Sequence, residues 1–306
     1  MKKLFAVLVL CSTMATAQVH RFVYEYKYIP NINEKEKVMD DLMVLDIDEK
    51  GSSYESLSKL ERDSAFRARL FSAQKSMGSG GSLSFSGLSR KQGTVEQKVV
   101  KEYPEYKTYL FEKVDSDLYK IAEEGKQDWK ILSETQKIGN YTAQKATTSF
   151  GGRDWVAWFT TDLPFPDGPY KFHGLPGLIV KLEDTTGSHI MTMVANKKMP
   201  NKEEIVNTKK VGEATITFGT KEIPVTVDQF KKAWKNYIKD PAKNLREMSS
   251  RSVSGGGGYY TTNTYIMKDQ NGKELDMKEM MKRKEESAKT MLKNNNNRIE
   301  PNLFKL

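Results

Sequence analysis

Residues 161–184, TDLPFPDGPYKFHGLPGLIVKLED, constrain this chain more than any other stretch. They hold four of its ten prolines and three of its glycines. Pro164 and Pro166 each fix their own φ and push the preceding residue toward extended geometry, so no helix can form here. Gly168, Pro169 and Gly174 supply further turn residues. In Leu175-Pro176-Gly177-Leu178 the proline suits the second position of a type II turn, and the glycine the third, where φ is positive. Leu178, Val180 and Leu182 then alternate with Ile179, Lys181 and Glu183, the period-two pattern of a strand with one apolar face. The stretch predicts a rigid corner that launches a strand.

The segments around this corner carry the same period. Phe22, Tyr24, Tyr26 and Tyr28 alternate with Val23, Glu25 and Lys27, so the first strand presents an aromatic stripe to a core. Further strands are expected over 39–47, 95–100, 106–114, 118–122, 129–135, 141–150, 155–161, 189–195, 214–218 and 259–267. Their short polar connections imply antiparallel pairing, because a parallel crossover needs a dozen or more residues. Residues 196–212 read as a polar loop.

Helical spacing is found in four places. Residues 56–71 form a short amphipathic pattern, and Thr226 with Gln229 makes a capping box for a helix over 227–239. Asp240-Pro241 suits the start of a third helix running to about residue 248. Asp276 with Glu279 suggests another box for a helix over 277–293, whose apolar side is Met277, Met280, Met281, Met291 and Leu292. Ser- and Gly-rich composition predicts flexible loops over 72–93 and 249–258. The Asn-rich residues 294–306 read as a mobile tail, leaving 18–293 as a single domain.

The first residues suggest export. Lys2 and Lys3 precede an apolar run over 4–10, and Ala15-Thr16-Ala17 offers a small-x-small cleavage site, so 1–17 reads as a signal peptide and Gln18 as the mature start. The run is far short of the ~20 residues that span a bilayer. Cys11 is the only cysteine, and Leu10 stands where a lipid-attachment signal has a small residue. Without disulfides the mature chain must be held by a large core. The formal net charge of +9 falls by two when Lys2 and Lys3 are removed. A basic exported protein can meet a membrane surface or an acidic partner, and nucleic acid is not expected. The expected address is the periplasm or the outer membrane.

Candidate chemistry is sparse. His173 lies in the corner near Asp162 and Asp167, where an acid–base or metal site could assemble. No GxSxG or HExxH motif occurs. His189, Met191 and Met193 fall on one strand face, and imidazole with two thioethers is a soft set suited to Cu(I). Methionines at such positions also serve as plain core filler. No other cofactor is expected.

Residues 157–184, AWFTTDLPFPDGPYKFHGLPGLIVKLED, with Gly174-Leu175-Pro176-Gly177-Leu178-Ile179 at their centre, resemble the signature of the GLPGLI family. The likeness extends upstream to Lys145-Ala146-Thr147-Thr148 and to Gly152-Arg153. It implies a secreted protein of Gram-negative bacteria, often encoded near outer-membrane transporters. The family supplies no catalytic residues to carry over.

Together these readings predict an α+β fold with one large curved antiparallel sheet, in the manner of an open half-barrel, and a few amphipathic helices. The expected function is non-enzymatic: an envelope protein that binds an apolar small molecule or an outer-membrane protein in the concavity of its sheet. The alternative is a copper-handling protein or a hydrolase using His173 or His189.

Overall fold

A computed structural model describes residues 18–76, 94–123, 125–200, 208–211, 214–217, 221–250 and 276–305. The expected signal peptide with Cys11, the loop residues 77–93 and 251–258, and an expected strand over 259–267 lie outside the described residues.

Twelve strands form one sheet. In chain order the first six are β1 (Gln18–Tyr28), β2 (Met39–Ile47), β3 (Gly51–Ser56), β4 (Lys98–Glu102), β5 (Lys107–Val114) and β6 (Asp117–Ala122). The next five are β7 (Lys130–Ile138), β8 (Tyr141–Phe150), β9 (Arg153–Thr160), β10 (Leu178–Asp184) and β11 (His189–Pro200). A separate two-stranded ribbon pairs β12 (Thr208–Val211) with β13 (Ala214–Thr217), and β14 (Glu222–Thr226) returns to the large sheet. The order across the sheet is β14-β6-β5-β4-β3-β2-β1-β11-β10-β9-β8-β7. Among the described residues the sheet is therefore open, with β14 and β7 as its edges. Every pair is antiparallel except β14 with β6. The fold is α+β on one large sheet, as the alternation of the sequence implies.

The helices are α1 (Leu57–Ser76), α2 (Val227–Lys239), α3 (Lys243–Ser250) and α4 (Met277–Asn294). Thr226 caps α2 through the expected box with Gln229. At α4, Asp276 accepts from the Lys278 N–H, while Glu279 pairs with Arg283 and does not complete a box. α1 lies against β2 and β3, where Lys59 meets Glu55 on the face opposite Tyr54.

The core fills the other face. Tyr24, Leu45, Leu110 and Trp155 from the sheet are buried against Tyr170, Phe172 and Leu175 of the corner. Phe230 and Trp234 of α2 close one end of this cluster, and Ile299, Leu303 and Phe304 complete it. These last residues correct the expectation of a mobile tail. Phe304 packs edge-on against Phe230 and Trp234, its carbonyl accepts from the Trp234 indole, and Asn297 donates to the Ile29 carbonyl. Asn-rich composition hid a segment that buries three large apolar side chains.

Other departures have clear causes. β3, GSSYES, was not expected as a strand, because only one of its six residues is large and apolar. It is a strand because β2 and β4 pair its backbone on both sides and Tyr54 is buried. β14 contains Pro224, which a strand tolerates at a sheet edge. β11 runs on to Pro200, through a bulge opposite Val23 and Tyr24, although its outer half is exposed and was expected as loop. Residues 72–76, expected as loop, continue α1.

Candidate functional site

The corner between β9 and β10 is a folded plug and not a single turn. Three of its prolines sit at the centre of a three-residue turn: Phe165 N–H donates to the Leu163 carbonyl at 2.8 Å, Asp167 to Phe165 at 2.7 Å, and Gly177 to Leu175 at 2.8 Å. This i→i+2 pattern is that of γ-turns. It replaces the expected type II turn. Gly174 and not Gly177 holds positive φ, at 92°. Gly177 is required for a different reason: a Cβ there would lie 2.1 Å from the Thr160 carbonyl oxygen. Leu175, Leu178 and Ile179 are buried, and Pro176 is exposed. Every residue of the hexapeptide thus has a backbone or packing role. Gly168 lies against the Ile179 side chain, and Pro169 accepts from Phe172 N–H.

Two buried lysines tie this plug to the sheet. Lys101 of β4 reaches Asp167, and both side chains are 0% exposed. The ammonium also donates to the Gly168 carbonyl at 2.8 Å, and the Tyr103 hydroxyl donates to the second oxygen of Asp167 at 2.5 Å. Burial lowers the Lys101 pKa despite the opposing pull of Asp167. On the other side of the plug, Lys171 contacts Glu123 and Glu300, each at 2.6 Å, and Tyr170 donates to Glu300. Burial would lower the Lys171 pKa as well, but the two carboxylates outweigh it and raise it.

His173 stands at the expected place, paired across an isolated bridge with Asp167. Its ring stacks on Tyr106 at 4.7 Å, and its carbonyl accepts from the Trp129 indole. Burial, reinforced by the charge of Lys101, holds its pKa down to about 4. Asp162, the other expected partner, is exposed, and Asp167 is committed to Lys101 and Tyr103. The corner brings His173 and Asp167 together, but both carboxylate oxygens are engaged by Lys101, Tyr103 and the Gly168 N–H, which leaves none free to act as a base toward His173 or an outside substrate.

The soft-ligand set is placed on the inner face of β11. His189 and Met191 are buried and Met193 is partly buried against the core. The His189 Nδ1 faces the Tyr26 hydroxyl at 2.7 Å, its backbone N–H donates to Asp184, and Met191 lies among Tyr26, Met43 and Tyr54. Burial, with the charge of Arg153 adding to it, holds the His189 pKa down to about 3. Asp184 accepts from Arg153, Thr186 and His189 N–H, and these contacts overcome its burial and lower its pKa. Arg153 also grips the Arg298 carbonyl and Asn297, which docks the C-terminal segment. Among the described residues, no group of three or more His, Cys, Asp or Glu side chains is arranged to hold a metal.

Free surface is found elsewhere. A cavity by Tyr54 and Met191 measures about 10 Å³, room for about one water. A larger open cleft of about 430 Å³ lies where β7 begins, lined by Asp128, Lys130, Thr148, Asp154 and Thr185. Among the described residues β7 pairs only with β8, and all its residues except Leu132 and Ile138 are exposed. Ile131 is 47% exposed. Sequence reasoning missed Lys101, Lys171 and Glu300, because a charged residue buried by its partners looks the same in sequence as one in solvent.

Fold and site together define an open-sheet α+β protein whose interior is closed by its own chain. Residues 152–183, the corner and its flanking strands, match the family described as "Protein of unknown function (Porph_ging)". No curated protein matches the chain. Among solved structures the chain is similar to PNGF-II in two space groups, P21 and C2. The identities are 16% and 17%, with a TM-score of 0.44 in both. The likeness covers 71% of this chain and about a third of PNGF-II, 33% and 32% in the two structures. Among the described residues, no helix is long and apolar enough to cross a membrane.

Proposed function

We propose that this chain is an exported, GLPGLI-type envelope protein without catalytic activity, and that it binds an outer-membrane protein along the free edge of β7. The observation that carries the reading is the contrast between a filled interior and an open edge. The inner face, where an apolar ligand would lie, is occupied by Tyr170, Phe172, Phe230 and Phe304. The backbone groups on the outer edge of β7 are unpaired within the described residues, the arrangement to which an extended partner segment adds as a further strand. The cleft at the start of β7 carries two carboxylates, Asp128 and Asp154, against one cation, Lys130, a net negative lining that favours a lysine or arginine side chain from that partner.

The test is fractionation of the protein with outer membranes from its own cells. Thr135→Pro removes an edge N–H and obstructs strand addition, and Asp128→Asn weakens the cleft. Both variants are expected to melt within a degree or two of the wild type and to leave the outer-membrane fraction. Unchanged membrane association in both would refute the edge as the binding site.

The copper reading has less support. The His189 Nδ1 is engaged with the Tyr26 hydroxyl, and its Nε2, which has no hydrogen-bond partner among the described residues, is buried with Met191 in the core, so a metal would have to displace packed side chains. Copper titration of Met191→Leu and Met193→Leu together decides it, with unchanged affinity ending the idea.

A further inference from the structure

We propose that Lys101 and Asp167 join in a covalent isopeptide bond that locks the corner to β4. The pair is isolated from water, and the two residues lie 66 positions apart. Its surroundings supply every group that amide formation requires. The Lys101 Nζ is in contact with Asp167 Oδ1 and donates to the Gly168 carbonyl at 2.8 Å, which orients the nitrogen. The Tyr103 hydroxyl donates to Oδ2 at 2.5 Å, and the Gly168 N–H donates to Oδ1 at 2.6 Å.

Proton transfer from the ammonium to Oδ1 turns the ion pair into a neutral amine and a carboxylic acid. Low dielectric favours this exchange, because it removes two buried charges. The nitrogen lone pair then attacks Cγ, and the electrons of the Cγ–Oδ2 double bond move onto Oδ2, where the Tyr103 hydroxyl stabilises them. As the double bond re-forms, the Cγ–Oδ1 bond breaks. Oδ1 leaves as water, carrying the proton it received and one more from nitrogen. The three protons of the ammonium end as one on the amide nitrogen and two on water. No oxidant, reductant or co-reactant is needed.

Lys171, which the same loop also buries, shows why the reaction is confined to one site. It sits between Glu123 and Glu300, and this excess of negative charge keeps it an ammonium with no nucleophilic lone pair. Lys101 faces the single carboxylate of Asp167, and its burial favours the free amine. In a chain whose only cysteine is Cys11, such a bond would do the work of a disulfide by closing a long loop between β4 and the corner.

The experiment is the intact mass of the denatured full chain, followed by tryptic mapping of wild type, Lys101→Arg and Tyr103→Phe. The wild type is expected to be one water lighter than its sequence, to resist cleavage after Lys101, and to yield a branched peptide containing both Lys101 and Asp167. Lys101→Arg should have its full mass, and Tyr103→Phe should contain a mixture of linked and unlinked chains. A wild type of full mass, cleaved normally after Lys101, overturns the proposal. That result needs no variant to fold, so a poorly expressed mutant leaves the test intact.

Discussion

The corner and the β7 edge, two parts of one sheet only two strands apart, contrast in how their backbone and side chains are satisfied. In the corner each buried charge has a partner, the backbone is stitched by γ-turns, and the sole solvent-facing residue of the Leu175–Leu178 turn is Pro176. Along β7 nearly all side chains meet solvent and one side of the backbone is unpaired within the described residues. The densest concentration of special residues therefore folds a plug that buries Tyr170, Phe172, Leu175 and its charged side chains, while Pro164, Pro166, Gly174 and Pro176 stay at its surface. Dense proline and glycine mark where the backbone is most constrained, which in this protein is the join between the sheet and its core. Access belongs to a strand of ordinary composition.

Substitutions should separate the two regions sharply. The largest effect is expected at Gly177. A valine there drives its Cβ into the Thr160 carbonyl, and the strands cannot move apart without opening the β9–β10 pair. We expect Gly177→Val to accumulate little folded protein, and Gly177→Ala to cost about 3 kcal/mol in urea unfolding. Gly174→Ala meets no neighbouring atoms and bears only the strain of positive φ, so about 1 kcal/mol is expected. Equal losses at the two glycines would contradict the close-approach explanation.

Next comes Lys171→Met, which leaves Glu123 and Glu300 facing each other in the core and should cost about 3–5 kcal/mol by denaturant titration. Restoring most of that loss with Glu123→Gln in the same chain would sharpen the argument, because one unpaired charge is then removed.

Acid should loosen the protein through its buried histidines, His189 on β11 and His173 in the corner, both of which burial holds neutral in the fold. The pKa of His189 is depressed to about 3 in the fold against about 6.5 when unfolded, so between these values the unfolded chain binds the extra proton. Stability from this group is complete above pH 6.5 and is lost as pH falls toward 3, about 2–3 kcal/mol of it by pH 4.5. The lowered pKa of Asp184 adds a loss in the same direction below the ordinary carboxylate range. Melting curves between pH 7 and 4.5 should therefore slope downward, and His189→Gln should flatten that slope. A wild-type Tm that stays level to pH 4.5 would disprove it.

The smallest effect on stability is expected at β7. Gln136→Lys or Thr135→Lys, on exposed positions, should shift stability by less than about 0.5 kcal/mol.

How far the sequence could be read follows the same division. Period-two alternation marked β1, β2 and β10 because each buries one face along most of its length, and the Thr226–Gln229 box fixed the start of α2. β3 and the outer half of β11 were illegible because tertiary pairing, and not their own side chains, makes them strands. The corner was legible as rigid, but not in its mechanism. Proline and glycine spacing suits a type II turn as well as it suits γ-turns, and the nearness of Thr160 to Gly177 is a long-range fact. The lysine sites were invisible for the same reason. Lys101 and Lys171 read as surface residues until Asp167, Glu123 and Glu300 are brought to them from elsewhere in the chain.

The claim that this protein meets its partner at the β7 edge is tested most directly by site-specific photo-crosslinking in intact cells. A photoreactive residue is placed at Gln136 on β7, and in a second strain at the exposed Lys235 on α2. The account predicts a single outer-membrane protein crosslinked from Gln136, identified by mass spectrometry of the adduct, and none from Lys235. A crosslink from Lys235 with none from Gln136 would contradict it.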